Sequence, residues 1–253
     1  MSHEVMKMTS HQYREGHYDK AIIALGSCEC HGPHLAQGTD TLVSKMLAVK
    51  AADRLKGLLV LPPITIGCSE HYDTFPFTIS IGFETMIAVI KDVLRTTYKN
   101  GIKHIFIISG HDGNIAPAEI ASRQIKVEYP DIRIAYMPEW WIKAGELLPP
   151  DTFEVWNGLG HAGEGESSIA YYLYEEWCEP ALAAGVVPDK LPKDVNIQWL
   201  FGELTNTGAS GDPTKATKEK GEKMVKVLVD CMVDTINALD ACGWDYKSSS
   251  HSI

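Results

Sequence analysis

Four short apolar runs stand between Ala21 and Tyr136: Ala21-Ile22-Ile23-Ala24-Leu25, Leu58-Leu59-Val60-Leu61, His104-Ile105-Phe106-Ile107-Ile108 and Ile132-Arg133-Ile134-Ala135-Tyr136. Each is bounded by Gly, Pro or polar turns. They run apolar almost without alternation, as strands buried on both faces do. Longer segments with apolar positions three and four apart lie between and after them. These predict helices from about Thr41 to Leu55, Phe83 to Asn100, Ile115 to Glu128, Glu166 to Glu176 and Pro213 to Asp240. Alternation of strand and helix predicts the α/β class, as a three-layer α/β/α sandwich with a mostly parallel central sheet and right-handed crossovers.

Composition narrows the function. A chain of 253 residues with 45% apolar and 22% charged positions is long enough for one large domain over 1–253, with a polar, disordered tail from about 247 to 253. Acidic residues outnumber basic ones 33 to 23, for a net charge of -10, and no Lys/Arg block tracks phosphates, so nucleic acid is not an expected partner. No apolar run approaches the roughly 20 residues needed to cross a bilayer, and the first residues lack a signal-peptide core. No membrane partner and a cytoplasmic location are the expectation. The six cysteines show no zinc-knuckle spacing, and reduced thiols are expected.

The chemistry is carried by three loops. Gly26-Ser27-Cys28-Glu29-Cys30-His31-Gly32-Pro33-His34 leaves the first strand and leads to Gly38-Thr39-Asp40. Glu29 and His31 stand two apart in an extended stretch, so both side chains leave the same side and can converge on a cation. Asp40 returns to that place after a Gly- and Pro-punctuated bend. The third strand is followed by Ser109-Gly110-His111-Asp112-Gly113-Asn114, and the strand ends of an open parallel sheet are where ligands bind. A further cluster, Gly160-His161-Ala162-Gly163-Glu164-Gly165-Glu166-Ser167-Ser168, precedes an amphipathic helix. There Glu164 or Glu166 can be a ligand, a proton-transfer group or a helix-dipole complement.

Glu29, His31, Asp40, His111 and one carboxylate from Glu164 or Glu166 make a mixed nitrogen and oxygen set suited to zinc or manganese, with iron as a further option. Five ligands exceed what one catalytic ion takes, but two ions about 3.5–4 Å apart would use them, with Asp40 bridging. Such a pair activates water for attack on an amide. The expected reaction is hydrolysis of a C–N bond.

Glu-X-His-Gly-Pro-His with Gly-Thr-Asp, the Ser-Gly-His-Asp-Gly-Asn turn and His-Ala-Gly-Glu-X-Glu-Ser-Ser together resemble the signatures of the creatininase family of metal-dependent amidohydrolases. The resemblance extends through Gly67-Cys68-Ser69-Glu70-His71 and Phe75-Pro76-Phe77-Thr78-Ile79-Ser80 to Gly208-Ala209-Ser210-Gly211-Asp212-Pro213, covering about Ala21 to Leu239. It implies an α/β/α domain, a dinuclear zinc or manganese centre, hydrolysis of a small cyclic or linear amide such as creatinine, and a homohexamer. It places metal ligands on Glu29, His31, Asp40 and His111, with Glu166 as the fifth because Gly113 stands where creatininase has a carboxylate. It assigns His161 to proton transfer. Glu164 is a second candidate catalytic residue, positioning water or substrate, and Ser69, His71, Asp112 and Asn114 are candidate substrate-binding residues.

Three departures bear on substrate: Cys30 for the usual Gln, and Phe77 and Asp112 each for a usual Gly. The family also holds enzymes that remove a formyl group from a ribosylaminopyrimidine intermediate and peptidases that trim a redox-cofactor precursor. Few Lys or Arg flank the candidate loops, which disfavours a phosphorylated substrate. A catalytically inactive metal- or ligand-binding homologue is the alternative from another class. A nucleotide-dependent oxidoreductase is excluded for want of a Gly-X-Gly-X-X-Gly turn after the first strand.

Overall fold

In the computed structural model, which describes residues 3–188 and 197–245, the four apolar runs become four parallel strands. They are β1 (Lys20–Leu25), β2 (Leu58–Val60), β3 (His104–Ser109) and β4 (Arg133–Met137), in the order β2-β1-β3-β4. Every residue of the central β1 is buried, so the unbroken apolar run is satisfied by a layer on each face. The tail predicted at 247–253 lies outside the described residues.

The helices are α1 (Ser10–Glu15), α2 (Thr39–Ala52), α3 (Phe83–Lys99), α4 (Ile115–Glu128), α5 (Trp140–Leu147), α6 (Glu164–Tyr174), α7 (Phe201–Leu204) and α8 (Lys218–Ala241). Pleat alternation divides the sheet between them. Ile22, Ala24, Phe106 and Ile108 face a core shared with α2, α5, α6 and α8. Ala21, Ile23, Leu25, Ile105 and Ile107 face α3 and α4 through Met86, Ile90, Leu94 and Ile125. This is the expected three-layer α/β/α arrangement.

Two boundaries moved for local reasons. The last helix begins at Lys218, capped by the Thr217 side chain accepting from the Lys220 N–H, while Pro213–Lys215 forms a separate 3-10 turn. The helix at the third motif begins at Glu164, two residues before the expected start. Neither α1 nor α5 was expected: α1 has no buried residue to give it an apolar stripe, and α5 opens with two tryptophans that hide a helical period. Among the described residues no helix is long and apolar enough to cross a membrane, and all six cysteines are free.

Candidate metal centre

The three motif loops leave carboxyl ends of parallel strands or enter helix N-termini, and the fold brings them together. Glu29 and His31 follow β1, Asp40 lies in the first turn of α2, His111 follows β3, and Glu166 lies in the first turn of α6. All five are buried. Gly110 is required for this approach, since a Cβ there would lie 2.1 Å from the Asp40 carbonyl oxygen. Gly113 is equally confined: its Cβ would meet the Cys68 oxygen at 2.1 Å and His111 Nε2 at 2.6 Å. No side chain fits there, and a carboxylate two places after His111 is excluded by packing.

Asp40 is the hub. Its Oδ1 lies 2.9 Å from His31 Nε2, and its Oδ2 lies 3.2 Å from His111 Nδ1 and accepts from Ser27 Oγ at 2.5 Å. Glu29 Oε2 is 3.2 Å from His111 Nδ1, yet neither Glu29 oxygen accepts a well-formed hydrogen bond although the residue is fully buried. Potential ligand atoms of Glu29, Asp40 and His111 lie within 4.8 Å of one another, as do those of His31, Asp40 and Glu166 and those of Glu29, His31 and His161. Two of these groups share Asp40.

Backbone carbonyls orient the imidazoles. His31 Nδ1 is 3.1 Å from the Glu29 carbonyl oxygen and His111 Nε2 is 3.0 Å from that of Cys68. Each ring then donates outward and turns its other nitrogen inward, as metal-bound histidines do. The charges couple strongly. Burial alone would lower the pKa of His31, but the Asp40 carboxylate raises it to about 10. Burial disfavours ionised Asp40, but His31 and His111 hold its carboxyl well below the usual range. Burial lifts Glu166 to about 7, with His31 opposing. A buried Glu29 without hydrogen bonds, beside two inward-facing nitrogens and a shared carboxylate, fits divalent cations.

Beside this floor lies a cavity of about 280 Å³ lined by Asp40, Tyr72, Gly110, His111, Asp112, Trp141, Ile142, Leu159, Gly160, His161, Glu166, Phe201 and Ser210. His161 donates from Nε2 to the Cys30 carbonyl oxygen at 2.6 Å, which leaves Nδ1 3.8 Å from Glu29 Oε1. Its ring is packed 4.3 Å from His31, 4.5 Å from Tyr72 and 5.0 Å from Phe201. Burial first, then His31, pull its pKa to about 3.

Comparison with known proteins places this geometry. The profile of the creatininase family, described as creatinine amidohydrolase, matches residues 6–236. The chain belongs to the creatininase family. A mycofactocin precursor peptide peptidase of Mycobacterium ulcerans is 29% identical over 227 residues, covering 85% of this chain and 83% of its own. The creatinine amidohydrolase of Pseudomonas putida is 22% identical over 229 residues, covering 85% and 87%. A mutant creatininase, type II, superposes with a TM-score of 0.82 at 22% identity over 94% of this chain and 98% of that one. Creatininases of zinc–zinc type and with manganese share the fold at TM-scores of 0.79 and 0.80.

In this creatininase-family chain the remaining candidates separate. Glu164 is not brought to the cluster. Its carboxylate accepts from the Glu154 and Val155 N–H groups at 3.0 and 2.9 Å and from Lys220 Nζ at 2.6 Å, which fastens the loop before His161. That corrects its expected catalytic place. Asn114 is also occupied, donating to the Gly26 oxygen at 2.9 Å and accepting from Cys68 N–H at 3.1 Å, so no polar end remains for substrate. Ser69 and His71 sit behind His111 rather than on the cavity wall: Ser69 Oγ is 3.3 Å from His111 Nε2, and the His71 ring lies 5.9 Å from that of His111. Of the four expected substrate contacts, Asp112 alone lines the cavity.

Sequence reasoning missed Tyr72, Ile142, Leu159, Phe201 and Ser210 as wall residues. Tyr72 adjoins the matching Ser69-Glu70-His71 stretch and Ser210 lies in another, so each carried a weak signal. Phe201 and Ile142 carried none. Among the tryptophans, Trp141 lines the cavity, whereas Trp140 is fully buried and Trp156 is exposed. Cys30 is buried, with Sγ directed toward the Gly32 oxygen at 4.0 Å, and belongs to none of the ligand groups.

Proposed function

We propose that this protein is a metal-dependent hydrolase of the C–N bond of a small amide, cyclic or linear, with creatinine as one candidate. Asp40 carries the reading, because its carboxylate belongs to two adjacent ligand groups at once. Glu29, Asp40 and His111 would hold one divalent cation, and His31, Asp40 and Glu166 a second, zinc or manganese by the donor set. When bound, such a pair polarises a carbonyl and lowers the pKa of water toward neutrality.

The chain supplies the rest. As water adds its oxygen to the amide carbon and the C–N bond breaks, His161, neutral and fixed in one tautomer by Cys30, takes the water's proton at Nδ1 and passes it to the departing nitrogen. Tyr72 and Phe201 cover its ring and exclude bulk water from the transfer. Ser210 Oγ accepts from the His161 N–H at 2.9 Å and holds the loop at the required height.

The Mycobacterium relative favours a second reading, a peptide amide as substrate. A ribonucleotide formamide is disfavoured because no described lining residue is Lys or Arg. An inactive homologue is disfavoured by the donor set itself, since Glu29, His31, Asp40, His111 and Glu166 are all present, buried and gathered in ligand groups. A homohexamer is part of the proposal, with exposed Phe77, Trp177 and Leu200 as apolar contact candidates; sedimentation velocity tests it. The primary test strips the protein, reconstitutes it with zinc or manganese and counts ions per chain. Two tightly held ions, with hydrolysis of creatinine, formamides, small lactams or short peptides, are expected. One ion or none overturns the dinuclear site.

A further inference from the structure

The cavity floor is acidic, and its charges are accounted for. Glu29, Asp40 and Glu166 all belong to the ligand groups built around Asp40. Asp112 belongs to none of them, yet it lines the same cavity and its residue is exposed there. Asp before a helix ordinarily accepts from backbone N–H groups of the first turn. Asp112 does not: among the described residues its carboxylate accepts no hydrogen bond and forms no ion pair. It is an unpaired carboxylate on the wall of the cavity.

Its surroundings strengthen that charge. No described lining residue is Lys or Arg. Glu139, immediately before α5, is near enough that Asp112 adds to burial in raising its pKa. Glu139 is not a lining residue, so Asp112 is the carboxylate that this side of the cavity presents. Tyr72, Trp141 and Phe201 line the same cavity. Aromatic faces attract ammonium and guanidinium groups, and a low-dielectric wall lengthens the reach of a nearby carboxylate.

We infer that the substrate carries a positive charge beside its scissile amide, and that Asp112 is the residue that selects it. The inference rests on the hydrolase reading above and narrows it to cationic amides. A volume of about 280 Å³ limits the substrate, or the part of it that enters, to a small molecule. The amide sits over Asp40 and His161, and its ammonium or guanidinium group lies toward Asp112 and the aromatic walls.

Three acetamides of similar size test this: N-(2-aminoethyl)acetamide, N-(2-hydroxyethyl)acetamide and N-acetylglycine, respectively cationic, neutral and anionic. Zinc-loaded protein is expected to hydrolyse them in that order of kcat/KM. Asp112→Asn should lower the cationic-to-neutral ratio about tenfold, and Asp112→Lys should invert the order. The same ratios, read as Kd by calorimetry, settle the matter if turnover is too slow to follow. Equal treatment of the three amides, or a ratio unmoved by Asp112→Asn, overturns the inference while leaving the hydrolase reading intact. Loss of that reading shows separately, as zinc-loaded protein that cleaves none of the three nor any short peptide.

Discussion

Glu29 and Glu164 are both fully buried carboxylates, and they are treated in opposite ways. Glu164 accepts from two backbone N–H groups and from Lys220, so its charge is compensated and its oxygens are used. Glu29 accepts no hydrogen bond at either oxygen and has only imidazoles near it. Removing a carboxylate from water costs several kcal/mol unless partners replace the water. Glu164 meets that demand with hydrogen bonds and serves architecture; burial disfavours ionised Glu29, and the His111 imidazole 3.2 Å away holds its carboxyl below the usual range without a well-formed hydrogen bond. The same contrast divides Glu164 from Glu166, two residues apart on one helix. Two residues rotate an α-helix by roughly 200°, so only one of them can face Asp40.

The largest expected effect comes from the hub of the unsatisfied region. Asp40→Ala removes a carboxylate common to two ligand groups, and should abolish tight binding of both ions and lower hydrolysis by more than about a thousandfold. Retained activity, with metal counted in the same sample, would break the contrast. His161→Ala should keep the metals and slow turnover by about 10²–10⁴-fold; loss of metal in that variant would instead make His161 a ligand.

Stability sharpens the comparison because the two glutamates should respond by different amounts. Glu164→Ala leaves Lys220 and two N–H groups without their carboxylate and should destabilise the fold by about 3–5 kcal/mol in urea unfolding. Glu29→Gln removes a carboxylate paired only with imidazoles and should destabilise the metal-stripped protein by less than Glu164→Ala does, while weakening metal retention. Equal destabilisation of the stripped protein by the two substitutions would erase the contrast.

The smallest effect is a pH dependence beside the site. His34 is buried, with Nε2 2.8 Å from Ser167 Oγ and no partner at Nδ1, and burial pulls its pKa down to about 4. Between about 4 and its unfolded value near 6.5 the unfolded chain binds the extra proton. Stability is therefore complete above that window and falls, by on the order of 2 kcal/mol, as pH drops through it. His34→Phe should flatten that part of a urea-midpoint profile; an unchanged slope would assign it to other groups.

Much of this was legible in local pattern. The four strands fell within one residue of their apolar runs, because a fully buried strand needs continuous hydrophobicity. Glu29 and His31 converge as their two-residue spacing in an extended segment requires. The wall was not legible: Tyr72, Trp141 and Phe201 reach the cavity from separate segments, and nothing in their local spacing says which of their faces is covered. Asn114 looked available in the turn, and only the approach of Gly26 and Cys68 shows both its polar ends occupied.

The sequence by itself determined the order of elements and the donor atoms offered to a cation, since helical and strand periods and motif spacing are properties of short segments. Tertiary structure decided which donors meet. It closed off position 113 to any side chain, gave Glu164 to Lys220 and Glu166 to Asp40, and left Asp112 free on the cavity wall. Those outcomes depend on the close packing of loops and helices at the carboxyl ends of the central strands β1 and β3. Such packing is a relation between distant segments, and no single segment carries it.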